Sequence, residues 1–169
     1  HKNRNNLVSF CERWKLDADE LNLQYDVKDD RVVFPIEHNG KLVDATGRSL
    51  GKLLPKWKRY GNNPLPYTYG CGKVALVVED CVSACVSNSN IHTGVAILGT
   101  SLSEDHKKYL SQFSTAIIAL DPDALPKILQ FARELRAYTP DVRVLRLKDD
   151  LKYRNEEDIY NLYKLTPKE

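Results

Sequence analysis

Four short runs of largely apolar residues constrain the fold of this chain more than any other feature. VALVV (Val74–Val78), GVAIL (Gly94–Leu98), TAIIAL (Thr115–Leu120) and VRVLRL (Val142–Leu147) read as strands. Helical patterns follow them: VSACVSN, then SEDHKKYLSQF with Ser103 as its N-cap, then ALPKILQFARELRAY, and finally NEEDIYNLYKL. Pro126 falls in a first helical turn, where a missing N–H costs nothing. Buried strands separated by helices predict an α/β fold with a parallel sheet covered on both faces.

In open parallel sheets, ligands bind at the carboxyl ends of the strands. Glu79 and Asp80 follow the first predicted strand, Gly99-Thr100-Ser101 the second, Asp121 and Asp123 the third, and Asp149 and Asp150 the fourth. All four exits share one edge. On extended chain, Asp121 and Asp123 would present two carboxylates side by side, with Pro122 stiffening the turn. The competing reading makes Asp123 a simple helix cap. Crowded carboxylates repel unless a cation lies among them, and hard oxygen donors select Mg²⁺ or Mn²⁺. The implied chemistry is phosphoryl or nucleotidyl transfer, or hydrolysis.

The first third is organised differently. NRNNLVSFCERWKL predicts a helix, and RVVFPIEHNGKLVDATGR predicts a hairpin about His38-Asn39-Gly40. GKLLPKWKRYGNNPLPYTYGCG reads as a basic loop and a linker. The expectation is a small basic α+β subdomain over residues 1–70 and a parallel-sheet domain over 71–169.

The formal net charge is only +2, so bulk charge points to no nucleic-acid partner. Locally the balance changes. Six cations stand between Lys41 and Tyr60 against the single acid Asp44. Arg48, Lys52, Lys56, Lys58 and Arg59 are candidate phosphate contacts, and Trp57 among them could stack on a base or plug a core.

No apolar run approaches the roughly 20 residues needed to cross a bilayer, so no membrane partner is expected. Four cysteines are too few for a disulfide scaffold, which fits a reduced, cytoplasmic setting. Cys81 and Cys85 share a predicted helix face and suit core packing better than zinc. His92 and His106 read as surface residues. Without Met at position 1, the chain reads as a fragment of a longer protein.

The ordered motifs ALVVED, ILGTSL, IIALDPDA and RLKDD resemble the Toprim domain over roughly Lys73 to Asp150. DDRVVFPIEHNGKLVDATGRSL followed by PKWKRY is similar to the segment before Toprim in DnaG-type primases, bacterial or bacteriophage. The resemblance implies a primase RNA-polymerase core, making short RNA primers on single-stranded DNA from ribonucleoside triphosphates. It assigns Glu79 as a metal ligand or proton acceptor, and Asp121, Asp123 and Asp149 as metal ligands. Lys56 matches the lysine of the Pro-Lys-aromatic element, and Arg48 the Gly-Arg arginine; both are expected at the catalytic centre.

Many of these primases carry a second acid four residues after the glutamate, where this sequence has Ser83. Either one metal is then held less tightly or Asp80 substitutes. The family's zinc-binding module is missing from this chain, and a replicative helicase is an expected partner. A Toprim nuclease and a non-catalytic nucleic-acid-binding module of a replication assembly are the alternatives.

Overall fold

The computed structural model describes residues 3–86, 88–99 and 101–168. It divides into two units, residues 1–67 and 68–169.

The first unit is built on the expected hairpin. Helix α1 (Asn5–Trp14) and a short strand β1 (Gln24–Asp26) precede β2 (Arg31–His38) and β3 (Lys41–Ser49). Asn39 and Gly40 both have positive φ, 54° and 74°, the conformation that closes a two-residue turn between right-twisted strands. β4 (Trp57–Arg59) pairs antiparallel with β3, completing a sheet in the order β1-β2-β3-β4. The stretch expected as a basic loop thus contains a strand. Alternation along β2 buries Val32, Phe34 and Ile36 completely, and Phe10 from α1 meets the Phe34 ring edge-on at 6.3 Å.

β5 (Tyr67–Tyr69) lies at the boundary and is an edge strand of the second sheet. Then follow β6 (Val74–Val78), the one-turn helix α2 (Cys81–Ala84), β7 (His92–Ala96), α3 (Glu104–Leu110), β8 (Thr115–Ile118), α4 (Leu125–Leu135), β9 (Asp141–Val144) and α5 (Glu156–Leu165). The order is β5-β7-β6-β8-β9, and the pairs β6–β7, β6–β8 and β8–β9 are parallel. This is the parallel α/β sheet that the four apolar runs predict.

Ala75, Val77, Ala116 and Ile118 share one buried cluster with Leu110 of α3 and with Ile128, Phe131 and Leu135 of α4. The intervening Leu76 and Ile117 are also fully buried. Both sheet faces are therefore apolar, each fully buried Val, Leu, Ile or Phe contributing about 1.5–3 kcal/mol.

Two histidine expectations are corrected. His92 is fully buried in β7, with Nε2 2.9 Å from Thr166 Oγ1 and its ring 5.5 Å from that of Tyr163. His106 is buried because it completes a capping box with Ser103. Among the described residues, no helix is long and apolar enough to cross a membrane.

Candidate metal centre

The path of the chain selects one place on the sheet. From β6 it moves outward to β7, then returns across β6 to β8 and continues to β9. Connections leaving β6 and β8 therefore diverge, and such a divergence opens a crevice at the carboxyl ends of the two strands. Glu79 follows β6 and Asp121 closely follows β8. Each of Glu79, Asp121 and Asp150 offers a carboxylate oxygen, all within 4.8 Å of one another. Among the described residues, no other group of three His, Cys, Asp or Glu side chains meets this geometry.

The electrostatics fit a cation site. Glu79 keeps exposed surface, yet burial of its carboxyl raises its pKa, and the charges of Asp150, Asp121 and Asp80 raise it further; Lys127 acts in the opposite sense. The Asp150 carboxyl is also raised, first by burial and then by Asp121 and Asp80, against the lowering effect of Lys152. Three hard oxygen donors that repel one another suit a divalent ion such as Mg²⁺ or Mn²⁺.

The acid that reaches the cluster from the last strand is Asp150, not the expected Asp149. The buried Asp158 carboxylate fixes this loop, accepting from the backbone N–H of Lys148 at 3.0 Å and of Asp149 at 3.2 Å. The Asp149 side chain is exposed and accepts from Asn155 Nδ2 at 3.3 Å. Asp158 was missed because the last helix reads as a solvated face. An acid in the first turn after an N-cap asparagine was the available signal.

Asp121 and Asp123 do not stand on extended chain. β8 ends at Ile118, and Pro122–Ala124 form a single 3₁₀ turn. The Asp121 side chain folds over this turn and accepts from the Asp123 N–H at 3.0 Å. Asp123 is exposed, but it lines the same cleft of about 200 Å³ as Glu79, Gly99, Asp121 and Lys127. Lys127 is another residue sequence reasoning passed over. Thr100 lies outside the described residues.

Ser83 and Asp80 are both buried behind the cluster. Asp80 caps α2 by accepting from Ser83 N–H at 2.9 Å, and its other oxygen lies 3.3 Å from Lys152 Nζ.

In the first unit the basic residues separate into two sets. Arg59 is committed: Nε lies 2.9 Å from Asp44 Oδ2, and Nη2 donates to the carbonyls of Asn63 and Leu65. Lys58 pairs with Asp29 at 3.0 Å. Trp57 is half-buried against Phe34, ring centroids 5.6 Å apart. The Arg48 guanidinium donates to the Ser49 carbonyl. Lys52 and Lys56 are exposed, and neither forms an ion pair among the described residues. Arg31 is almost fully buried, and its Nη1 donates to the carbonyls of Gly47 at 3.1 Å and Pro55 at 2.8 Å, holding the backbone next to Lys56.

No protein-family model matches the chain. It is similar to the DNA primase of Geobacillus stearothermophilus, 30% identical over 140 residues that cover 72% of this chain and 23% of the relative. The chain spans about a quarter of the length of the curated relatives it matches. Among solved structures, the E. coli primase catalytic core superposes with a TM-score of 0.68 at 18% identity, covering 95% of this chain and 71% of that one. A DnaG primase catalytic domain bound to ssDNA gives 0.56 at 20% identity, covering 91% and 62%.

Proposed function

We propose, for a chain that carries a DnaG-type primase catalytic domain, template-directed synthesis of short RNA primers on single-stranded DNA. One observation carries this reading: three carboxylates distant in sequence converge within 4.8 Å at the carboxyl edge of the parallel sheet. In this proposal Glu79, Asp121 and Asp150 hold the divalent ion, Mg²⁺ or Mn²⁺, with Asp123 at the mouth of the same cleft. When bound, such an ion offsets charge that builds on the transferring phosphoryl oxygens.

The other roles belong to side chains of the protein. The alternative role for Glu79 is to accept the proton of an attacking 3′-hydroxyl at a carboxylate oxygen, leaving Asp121 and Asp150 to hold the ion. Lys127 presents a positive charge to anionic phosphates in the cleft. In the first unit, Lys52, Lys56 and Arg48 steady phosphates of template or nucleotide, while Arg59, Lys58 and Trp57 maintain the sheet that carries them. The proposal extends to a replicative helicase as partner and to the cytoplasm of a bacterial or phage-infected cell.

The test is primer synthesis on single-stranded DNA with ribonucleoside triphosphates and Mg²⁺ or Mn²⁺. Labelled product from the wild type and its loss in Asp121→Ala support the proposal. Full activity in folded Asp121→Ala rejects it, and cleavage of labelled DNA without nucleotides would favour a nuclease instead.

A further inference from the structure

Ser83, four residues after Glu79, is not available to a cation. Its hydroxyl is buried and accepts from the Lys152 backbone N–H at 3.2 Å. Asp80, the acid that follows Glu79, has both oxygens engaged. Oδ1 accepts from Ser83 N–H at 2.9 Å and Oδ2 from Lys152 Nζ at 3.3 Å. The same Nζ lies 3.7 Å from Asp150 Oδ2. One ammonium thus sits between the acid behind the cluster and an acid of the cluster itself.

Two-metal phosphoryl-transfer sites place their ions about 3.5–4 Å apart, close enough for one carboxylate to face both. Asp150 is shared here in the same sense, between the Glu79–Asp121 side and an ammonium. We propose that Lys152 supplies the second positive charge of this centre, so that it takes one divalent ion where a two-metal site takes two. The inference rests on the reading of Glu79, Asp121 and Asp150 as cation ligands. Lys152 is well placed for this role because it is itself shielded, its side chain only 14% exposed. The backbone bond to Ser83 fixes the start of that side chain. A second ion at Asp80 Oδ2 would have to displace this ammonium.

Counting Mn²⁺ bound to the purified chain by electron paramagnetic resonance tests this without any activity assay. The wild type should bind one Mn²⁺ per chain. Lys152→Gln, its fold checked by circular dichroism, should bind two, and Lys152→Arg should bind one. Two ions of similar affinity on the wild type would overturn the inference even if Lys152→Gln fails to fold. An unchanged single ion on folded Lys152→Gln would also overturn it, leaving the metal-centre reading intact. A wild type that binds no Mn²⁺ would remove both.

Discussion

Asp121 and Asp150 leave the adjacent parallel strands β8 and β9 and bring carboxylate oxygens within 4.8 Å of each other. Asp149, one residue earlier, is turned to solvent and bound by Asn155. Asp150→Asn should therefore weaken Mn²⁺ binding and lower dinucleotide synthesis by roughly 100-fold or more, whereas Asp149→Asn should stay within a few-fold of wild type. Paired metal titrations and initial rates on both variants check this. The reverse ranking would return the site to Asp149.

His92 gives the second unit a pH dependence whose sign is fixed by burial. Burial holds its pKa at about 4, against 6.5 for an ordinary histidine. Above pH 6.5 the imidazole is neutral in both states and costs nothing. As pH falls from 6.5 to 4, only the unfolded chain takes up a proton, so stability is lost, by about 3 kcal/mol at the lower end. Urea unfolding midpoints across this range should fall more steeply for wild type than for His92→Gln. Parallel curves would place the acid sensitivity elsewhere.

The parallel sheet was legible because its strands are largely apolar and helical patterns, one of them opened by Ser103, separate them. The acidic edge followed from strand direction alone. What escaped was local. Whether Asp149 or Asp150 faces inward depends on Asp158, a residue from the next helix whose burial the polar run Asn155–Asp158 conceals. A 3₁₀ turn in place of extended chain separated Asp121 from Asp123. β4 escaped because three residues between prolines and glycines carry no periodicity, and pairing with β3 supplies what propensity does not. His92 reads as polar in sequence, and only its place in a covered strand makes it core.

Arg59 and Lys56, three residues apart, should separate stability from binding. Burial alone would raise the Asp44 carboxyl, but Arg59 and three backbone N–H groups outweigh it and hold it below its usual range. Removing Arg59 leaves a carboxylate only 3% exposed without its cation. Arg59→Ala should cost about 2 kcal/mol in denaturant unfolding, discounted from the full cost of a broken buried pair because the arginine is partly solvated. Lys56→Ala should leave stability within about 0.5 kcal/mol. If Lys56 touches a phosphate, it should also weaken single-stranded DNA binding and lower the salt slope by about one.

Lys127 provides the last test. It lies in the first turn of α4, lines the cleft with Glu79 and Asp121, and forms no ion pair among the described residues. Its ammonium lies 5.9 Å from the Phe131 ring centroid, so the side chain is braced on an aromatic face without being neutralised. A cation held in this way beside three acids has an anionic partner to find, and the triphosphate of an incoming nucleotide is the one the proposed reaction supplies. Lys127→Ala should raise the KM for nucleotide about tenfold, the loss of one charge-assisted contact worth about 1.4 kcal/mol, and should change kcat much less. Lys127→Arg should recover most of that loss, because the positive charge is kept. Steady-state rates over a nucleotide series decide the matter: an unchanged KM in Lys127→Ala would mean that the lysine only tempers the charge of Glu79.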